Sequence, residues 1–286
     1  MIRAILLALA LPGMAMADSP ATDSAARVVS LGGSVTEIAV ALGAGDRLVG
    51  RDTTSNYPDS VLDLPDVGYI RALSPEGVLS LGPDLILSEA GAGPAEAVTV
   101  LQAAGVPFIQ MPGDPTPEGV LDKIDAVAAA LNLPEAGAAL HDSVAEGLEA
   151  ARQRAAEITA PKSVLFVLSL TAGRVTAGGA GSAAEGIIEL AGGRNAAQGF
   201  DGWKQMTDEA VIASAPDVIL MMEREGDLAV TDADVLAHPA LSLTPAAKTG
   251  RILRMDGMLV LGFGPRTPEA AATLHDAIYG TGSGGD

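Results

Sequence analysis

The sequence predicts an α/β fold made of two related Rossmann-like lobes, bridged by one long α-helix, with a ligand cleft between the lobes. Three observations predict it. Strand and helix patterns alternate in both halves of the chain, as in parallel α/β structure. Segments of the first half recur in the second half. Between the halves, from Thr116 to about Glu157, the composition is almost continuously helical.

The internal repeat consists of two pairs of segments in the same order. Glu76–Leu87 (EGVLSLGPDLIL) matches Glu209–Leu220 (EAVIASAPDVIL) without a gap. Ser34–Gly45 resembles Ser182–Gly193, because each has a serine, a glutamate three residues later and a glycine-rich end. The offsets of 133 and 148 residues are too long for a tandem repeat, so they indicate two domains of related build. Ligands of such sheets bind beyond the carboxyl ends of the strands, which favours a cleft between the lobes.

The helices and strands expected in the first half follow from hydrophobic periodicity and from helix-capping residues. Ser34 and Glu37 fit a capping box at the start of a helix, and Ser74-Pro75-Glu76 is typical of another helix start. The strand patterns are Val28–Leu31, Arg47–Gly50, Asp84–Ser88 and Val106–Gln110, and the helix patterns are Ser34–Leu42, a short helix after Ser74, and Pro94–Ala104.

The second half begins with the helical middle. A first helix runs to Leu131, and a second from Glu135 to about Glu157 would be roughly 35 Å long, which suits a rigid linker. The later strand patterns are Ser163–Leu168, Asp217–Met222 and Arg251–Met255, the helix patterns are Ser182–Ala191 and Thr267–Tyr279, and residues 231–247 look irregular.

The N-terminus, MIRAILLALALPGMAMA, has one charge, a short apolar run and a small-x-small end, so residues 1–17 are expected to be a secretory signal removed after Ala17. No cysteine follows the junction, so no lipid anchor is expected there. The predicted divisions of the remaining chain are an N-terminal lobe at 27–115, a helical linker at 116–160 and a C-terminal lobe at 161–280. The mature protein is expected to be free in the periplasm or outside the cell.

Composition excludes several functions. A formal net charge of −19 leaves no cationic surplus for nucleic acid. The chain has no cysteine, hence no disulfide, no thiolate metal site and no cysteine nucleophile. His141, His238 and His275 lie far apart and lack the spacing of a metal site, and His141 and His275 are expected to be surface or packing residues. No nucleophile–base pattern indicates an enzyme, so an exported hydrolase is a remote alternative and no catalytic cofactor is expected.

Tyr69 and Arg71 form the most informative pair, because the chain has only three tyrosines. In an extended segment their side chains would project to the same side. A guanidinium stabilises a nearby phenolate, and a phenolate oxygen is a hard donor suited to ferric iron. The spacing alone is equally explained by a half-buried tyrosine at a loop beside a solvated arginine. Tyr57, before Pro58, is expected to pack in a turn.

The run from Gly68 to Leu81 (GYIRALSPEGVLSL) resembles the haem-ligand segment of periplasmic haemin-binding proteins, the substrate-binding components of bacterial haem ABC importers. Three further stretches support the resemblance over essentially the whole mature chain: Arg51–Ser55, Ala191–Asn195 and Leu261–Glu269. These are shared more loosely with cobalamin and siderophore binders. The resemblance implies two α/β lobes bridged by one long helix.

The resemblance also implies residue roles. Tyr69 would be the axial ligand of ferric haem, with Arg71 hydrogen-bonded to the phenolate. Some relatives add a histidine from the second lobe, but the corresponding loop here, around Ser169–Thr176, has none. One protein ligand is therefore expected, with a weak or open sixth position, and the sequence leaves open whether one or two haems bind.

Weaker haem contacts are expected on the second lobe, at Arg224, Trp203 and Lys204. Arg224 follows a strand, although an arginine between two glutamates can simply be solvated, and a sole tryptophan is often a core residue. Glu76 and Glu209 occupy matching positions of the repeat, and the resemblance implies that they dock onto the membrane permease. First-turn glutamates are also explained by the helix dipole.

The expected function is therefore to bind ferric haem in the periplasm and deliver it to an inner-membrane ABC permease, as a monomer when free. Haem would be the transported ligand. The alternative is the same scaffold binding cobalamin or a ferric siderophore, in which case the Tyr69–Arg71 pair would be incidental.

Overall fold

A computed structural model describes residues 25–223 and 229–280, and the predicted signal segment lies outside them. The described chain forms two β-sheets separated by a pair of helices, which confirms the two-lobed α/β fold. Among the described residues, no helix combines the length and apolar character needed to cross a bilayer.

The first sheet contains four parallel strands in the order β2-β1-β3-β4. Each strand is followed by turns and helices that return the chain to the other end of the sheet, as parallel pairing requires. The strands are β1 (Val28–Leu31), β2 (Leu48–Arg51), β3 (Leu85–Ser88) and β4 (Phe108–Gln110), and the helices are α1 (Gly33–Ala41), α2 (Pro75–Leu79) and α3 (Ala95–Ala103).

Two helices link the sheets. Helix α4 spans Pro117–Ala130 and helix α5 spans Pro134–Ala156. The 23 residues of α5 correspond to roughly 35 Å. Thr116 caps α4 by accepting a hydrogen bond from Gly119 N, and proline occupies the first turn of both helices, where its missing N–H costs nothing.

The second sheet repeats the first and adds a hairpin. In order of sequence, its strands are β5 (Ser163–Thr171), β6 (Arg174–Gly178), β7 (Arg194–Asn195), β8 (Trp203–Met206), β9 (Val218–Met222) and β10 (Ile252–Met255). Strands β7-β5-β9-β10 pair in parallel, in the same order as β2-β1-β3-β4. Strand β6 pairs antiparallel with β5, and β8 pairs antiparallel with β6, so the expected parallel sheet is mixed in this lobe.

The helices of the second lobe are α6 (Ala183–Leu190), α7 (Asp208–Ser214), α8 (Asp232–Ala237), α9 (Pro245–Lys248), α10 (Gly257–Leu261) and α11 (Thr267–Tyr279). Ser182 and Thr207 accept hydrogen bonds from backbone N–H groups of α6 and α7, as expected of caps. The stretch 231–247, expected to be irregular, contains α8 and the start of α9. A reciprocal capping box between Thr231 and Asp234 begins α8.

The expected capping box at Ser34 is wrong. Helix α1 begins at Gly33 without a side-chain cap. The Ser34 hydroxyl donates to Glu89 Oε1 at 2.9 Å, and the Glu37 carboxylate accepts from Nε of Arg266 at 3.0 Å. Ser34 and Glu37 therefore bond to residues far along the chain instead of capping the helix.

One buried core joins the two lobes. It contains Val28 and Leu87 of the first sheet, Phe166 and Leu220 of the second, and Leu148 of α5. Each lobe also has a separate cluster on the outer face of its own sheet. The inner faces of both sheets are thus fixed to the same group of helices.

Lys123 of α4 is the polar centre of this joint. Its side chain is 1% exposed, and its Nζ lies 2.9 Å from Ser34 Oγ and 3.3 Å from Glu89 Oε1, both in the first lobe. The same nitrogen donates to the carbonyls of Gly262 and Phe263 in the second lobe, at 3.3 and 3.1 Å. A buried cation is tolerable because all of its neighbours are oxygen acceptors.

Replacing Lys123 with methionine is expected to lower the free energy of unfolding by about 3 kcal/mol, because it leaves a carboxylate and two carbonyls without their shared donor. Urea denaturation measures this. The control is Lys162→Met, which removes an exposed lysine and should change stability by less than about 0.5 kcal/mol. Equal midpoints for the two variants would contradict the role assigned to Lys123.

Candidate functional site

The Tyr69 segment is held from both sides by backbone hydrogen bonds at the carboxyl edge of the first sheet. On one side, Thr53 N, just after β2, donates to Gly68 O at 3.0 Å. On the other, Gly93 N donates to Ile70 O at 2.9 Å, and Leu73 N donates to Gly93 O at 2.8 Å. The loops that follow β2 and β3 therefore fix the backbone on which Tyr69 stands.

The side chains around Tyr69 explain why its phenol faces outward. Ile70 and Leu73 are buried in the outer core of the first lobe, whereas the Tyr69 side chain is 47% exposed. Gly68, at φ +97°, turns the chain immediately before the tyrosine. A left-handed residue followed by two buried anchors leaves a large aromatic ring in solvent on a fixed backbone.

The expectation that Tyr69 and Arg71 share a side of an extended segment is wrong. Tyr69 itself is extended, but Ile70–Ala72 form a turn of 3₁₀-helix. With three residues per turn, side chains two positions apart diverge. Arg71 is exposed and its guanidinium lies across Gly91, where an added Cβ would come 3.4 Å from Nη1. Within the described residues, no hydrogen bond joins the Tyr69 phenol to Arg71.

Trp203 and Lys204 are neighbours on β8 and therefore point to opposite faces of the sheet. The Trp203 ring meets Phe166 edge to face, with centroids 5.7 Å apart, on the face that carries the shared core. The Lys204 ammonium lies 6.0 Å from the centroid of Phe200, which borders the outer cluster. These two side chains cannot line one wall together. Arg224 lies outside the described residues.

The three histidines have separate environments. His141 Nδ1 lies 3.0 Å from an Asp125 carboxylate oxygen, and His275 Nδ1 lies 3.1 Å from a backbone carbonyl. His238 is 6% exposed, and both of its ring nitrogens contact the backbone. In the part of the chain that the structure describes, no group of three or more histidine, aspartate or glutamate side chains could hold a metal ion.

A second polar contact lies between the lobes near the cleft floor. Arg266 donates to Glu37 through its backbone N and through Nε, and its guanidinium lies 3.6 Å from the centroid of the Tyr57 ring. Burial raises the pKa of Glu37 against the opposing effect of Arg266. Tyr57, expected only to pack in a turn, thus covers an ion pair that joins the lobes.

Sequence reasoning missed Lys123, Glu37 and Arg266 as a set. The available signal was a lone lysine on the apolar stripe of α4, between Val120 and Ile124. A cation at such a position requires buried acceptors. The sequence does not say which distant carboxylates and carbonyls supply them.

Among the described residues, a small cavity and a groove lie between the lobes, and Tyr69 lines neither of them. A small one of about 10 Å³ lies among Tyr57, Met258 and Arg266. A groove of about 540 Å³ runs between Asp114–Pro117 and helix α6. Tyr69 lies in neither, in keeping with its exposed side chain. An open cleft mouth suits a large flat ligand better than an enclosed pocket does.

The carboxyl edges of the two sheets face one another. Met258, after β10, lies so close to Gly33, after β1, that a Cβ at Gly33 would come 2.4 Å from its methyl carbon. Gly264 packs in a similar way against Ser34. The loops beyond these edges, including the Tyr69 segment, therefore border a common cleft.

Glu76 and Glu209 are exposed first-turn residues, one on each lobe. Ser74 and Thr207 cap their helices in the same way. The backbone N–H of Glu209 and the hydroxyl of Thr207 hold the pKa of the Glu209 carboxyl below its usual value.

Comparison with known proteins identifies the fold family and several relatives. A family model described as periplasmic binding protein matches residues 28–259. The periplasmic heme-binding protein BhuT, in complex with two hemes, shares 43% identity at a TM-score of 0.83, covering 88% of this chain and 97% of that one. The periplasmic heme-binding protein RhuT from Roseiflexus sp. RS-1, in apo form, shares 39% identity at a TM-score of 0.84, with the same coverage of both chains. A vitamin B12-binding protein from Yersinia pestis shares 32% identity over 201 residues, 70% of each chain.

Gly68→Ala is expected to lower the free energy of unfolding by about 1 kcal/mol, because alanine disfavours φ +97° even where no atom obstructs its Cβ. Gly77→Ala, in α2, should raise the free energy of unfolding instead. The atom nearest to an added Cβ is 3.7 Å away, and alanine is a better helix former than glycine. Denaturation midpoints measure both. A neutral Gly68→Ala would contradict the left-handed turn before Tyr69.

Proposed function

The chain belongs to the periplasmic binding protein family, and on that premise we propose that it binds ferric haem between its lobes and delivers it to an ABC permease. The observation that carries the proposal is Tyr69, an exposed phenol on a backbone fixed from both sides at the mouth of the cleft. Similarity to two haem-binding proteins over 88% of the chain supports it.

Tyr69 supplies the chemistry that ferric iron needs. A phenolate is an anionic oxygen donor, and tyrosine is an established axial ligand of haem iron. A fixed backbone lowers the ordering cost of binding, because only the torsions of the phenol side chain remain to be set. Arg71 lies two residues away and would donate to the phenolate once its side chain leaves Gly91, a rotamer change of the kind that binding often produces.

Tyr69 would hold the iron as the single protein ligand. His238 is engaged with the backbone on both ring nitrogens, and the second-lobe hairpin carries no imidazole. The sixth position is therefore open to water or a weak ligand. The related BhuT structure contains two hemes. A measurement of haem stoichiometry would therefore show whether this chain binds one haem or two.

Cobalamin is the second candidate ligand. A relative named as a vitamin B12-binding protein shares 32% identity over 70% of this chain. The exposed tyrosine favours haem, because a phenolate selects ferric iron. For cobalamin, Tyr69 would be one aromatic contact among others.

Delivery would use the two lobes symmetrically. Glu76 and Glu209 present a carboxylate on each lobe, and the lowered pKa of Glu209 keeps its charge at moderately acidic pH. Paired carboxylates of this kind suit arginines on a permease.

We also propose that the signal segment is removed after Ala17, that the lobes are residues 27–115 and 161–280, and that the mature chain works in the periplasm as a monomer.

Adding ferric haemin to the mature protein is expected to give a phenolate-to-iron charge-transfer band in the visible spectrum. Tyr69→Phe should lose that band and at least roughly tenfold in affinity, because the iron loses its anionic ligand. Tyr57→Phe is the matched control: it removes an equally exposed phenol and should keep both. Cobalamin binding without any haemin spectrum would overturn the proposal in favour of the second candidate.

Reversing both docking carboxylates, as Glu76→Arg with Glu209→Arg, is expected to abolish haem uptake by cells that carry the permease and to leave haemin titrations unchanged. Glu96→Arg with Glu269→Arg is the control. It reverses the charge of one exposed first-turn glutamate on each lobe, at helices other than those of Glu76 and Glu209. Wild-type uptake by the first double variant would refute the docking assignment.

A further inference from the structure

The carboxylate of Asp66 clamps the backbone that leads into Tyr69. Its Oδ1 accepts a hydrogen bond from Gly68 N at 2.8 Å and another from the Thr53 hydroxyl at 3.1 Å. Its Oδ2 lies 3.3 Å from Nη1 of Arg51. One side chain therefore joins the turn before the tyrosine to the end of β2 and to the loop that follows β2.

The backbone and the arginine on which this clamp depends are themselves held. Arg51 N donates to Pro65 O at 3.0 Å, and Val67 N donates to Arg51 O at 2.9 Å, so the chain on both sides of Asp66 pairs with the last residue of β2. The Arg51 side chain is only 11% exposed, and its Nε donates to Val61 O at 3.0 Å. The guanidinium that meets Asp66 is thus fixed by other protein groups.

Gly68 is the residue whose conformational freedom the clamp removes. Its φ is +97°, and no atom within 4 Å would obstruct a Cβ there, so packing does not hold this torsion. Glycine adopts positive and negative φ about equally readily. Asp66 binds the N–H of this glycine, and Thr53 N binds its carbonyl at 3.0 Å. Both polar groups of the residue before Tyr69 are therefore fixed.

From these contacts we infer that Asp66 is a positioning residue for ligand binding, which acts through the backbone of Tyr69. The inference rests on the proposed function, because it assigns Asp66 to the iron contact at Tyr69. Ordering a segment at the moment of binding costs conformational entropy, and a segment that is ordered beforehand avoids this cost. The Asp66 side chain is 39% exposed, and exposed ion pairs contribute little to stability, so its effect on binding is separable from folding.

Asp66→Ala is expected to weaken haemin binding roughly fivefold, because the Gly68 turn must then be ordered on binding. At saturating haemin the charge-transfer band of Tyr69 should be unchanged, since the phenolate still reaches the iron. Asp66→Asn keeps an oxygen acceptor for Gly68 N, and its affinity should stay within about twofold of wild type. Haemin titrations followed in the visible spectrum measure these affinities.

Asp63→Ala is the matched control. Asp63 is an exposed aspartate of the same loop, and its replacement changes the net charge by the same amount. This variant should bind haemin with wild-type affinity. Wild-type affinity in Asp66→Ala, or equal losses in Asp66→Ala and Asp63→Ala, would overturn the inference while leaving haem binding intact.

A double variant separates a role through Tyr69 from a general loss of structure. In a Tyr69→Phe background, Asp66→Ala should change haemin affinity by less than about twofold, because the iron contact that Asp66 prepares is already absent. A further loss of roughly fivefold in the double variant would mean that Asp66 acts independently of Tyr69, and would overturn the inference.

Hydrogen exchange of the ligand-free protein tests the clamp without haem. The Gly68 N–H should exchange with solvent faster in Asp66→Ala than in the wild-type protein or in Asp66→Asn. Unchanged exchange in Asp66→Ala would overturn the inference. Failure of the wild-type protein to bind haemin would instead overturn the proposed function, and with it the ligand contact that Asp66 is inferred to position.

Discussion

The buried ammonium of Lys123 is the interaction on which the rest of the structure depends. It takes acceptors from the first lobe, at Ser34 and Glu89, and from the second lobe, at the carbonyls of residues 262 and 263. Because these acceptors lie at the facing edges of the two sheets, the ammonium ties the two lobes together at the floor of the cleft. The Glu37–Arg266 pair repeats this arrangement nearby. Buried charges at the floor of the cleft therefore oppose separation of the lobes.

The Tyr69 segment borders this cleft, and its backbone is held in place before any ligand binds. An exposed tyrosine on a mobile loop would have to be ordered on binding, whereas this one stands on a backbone paired with the loops after β2 and β3. In the second lobe, His238 holds the turn between β5 and β6 through a contact with Gly173 O. A side chain on a preset backbone suits a rigid, planar ligand, because less ordering entropy is lost than in a flexible site.

The architecture could be predicted from the sequence because it follows from local and repeated patterns. The repeat of Glu76–Leu87 at Glu209–Leu220 predicts two lobes with the same strand order, and the order β2-β1-β3-β4 does recur as β7-β5-β9-β10. Thr116, Ser182 and Thr207 each cap a helix through a local side-chain hydrogen bond, a feature that depends on only a few neighbouring residues.

The site could be predicted only in part, because it depends on contacts between distant residues. Ser34 and Glu37 fit a capping box locally, but they bond to residues far along the chain. The Tyr69–Arg71 spacing suggested an extended segment, whereas the buried anchors Ile70 and Leu73 require a turn of 3₁₀-helix between them.

Resonance Raman spectroscopy of the ferric haem complex would show whether the Tyr69 phenolate binds the iron. The chain has three tyrosines, so ring-deuterated tyrosine is a clean label. Excitation in the charge-transfer band should enhance phenolate ring modes that shift with the label and vanish in Tyr69→Phe. A spectrum without tyrosinate modes, or one whose modes survive in Tyr69→Phe, would mean that Tyr69 is not the iron ligand.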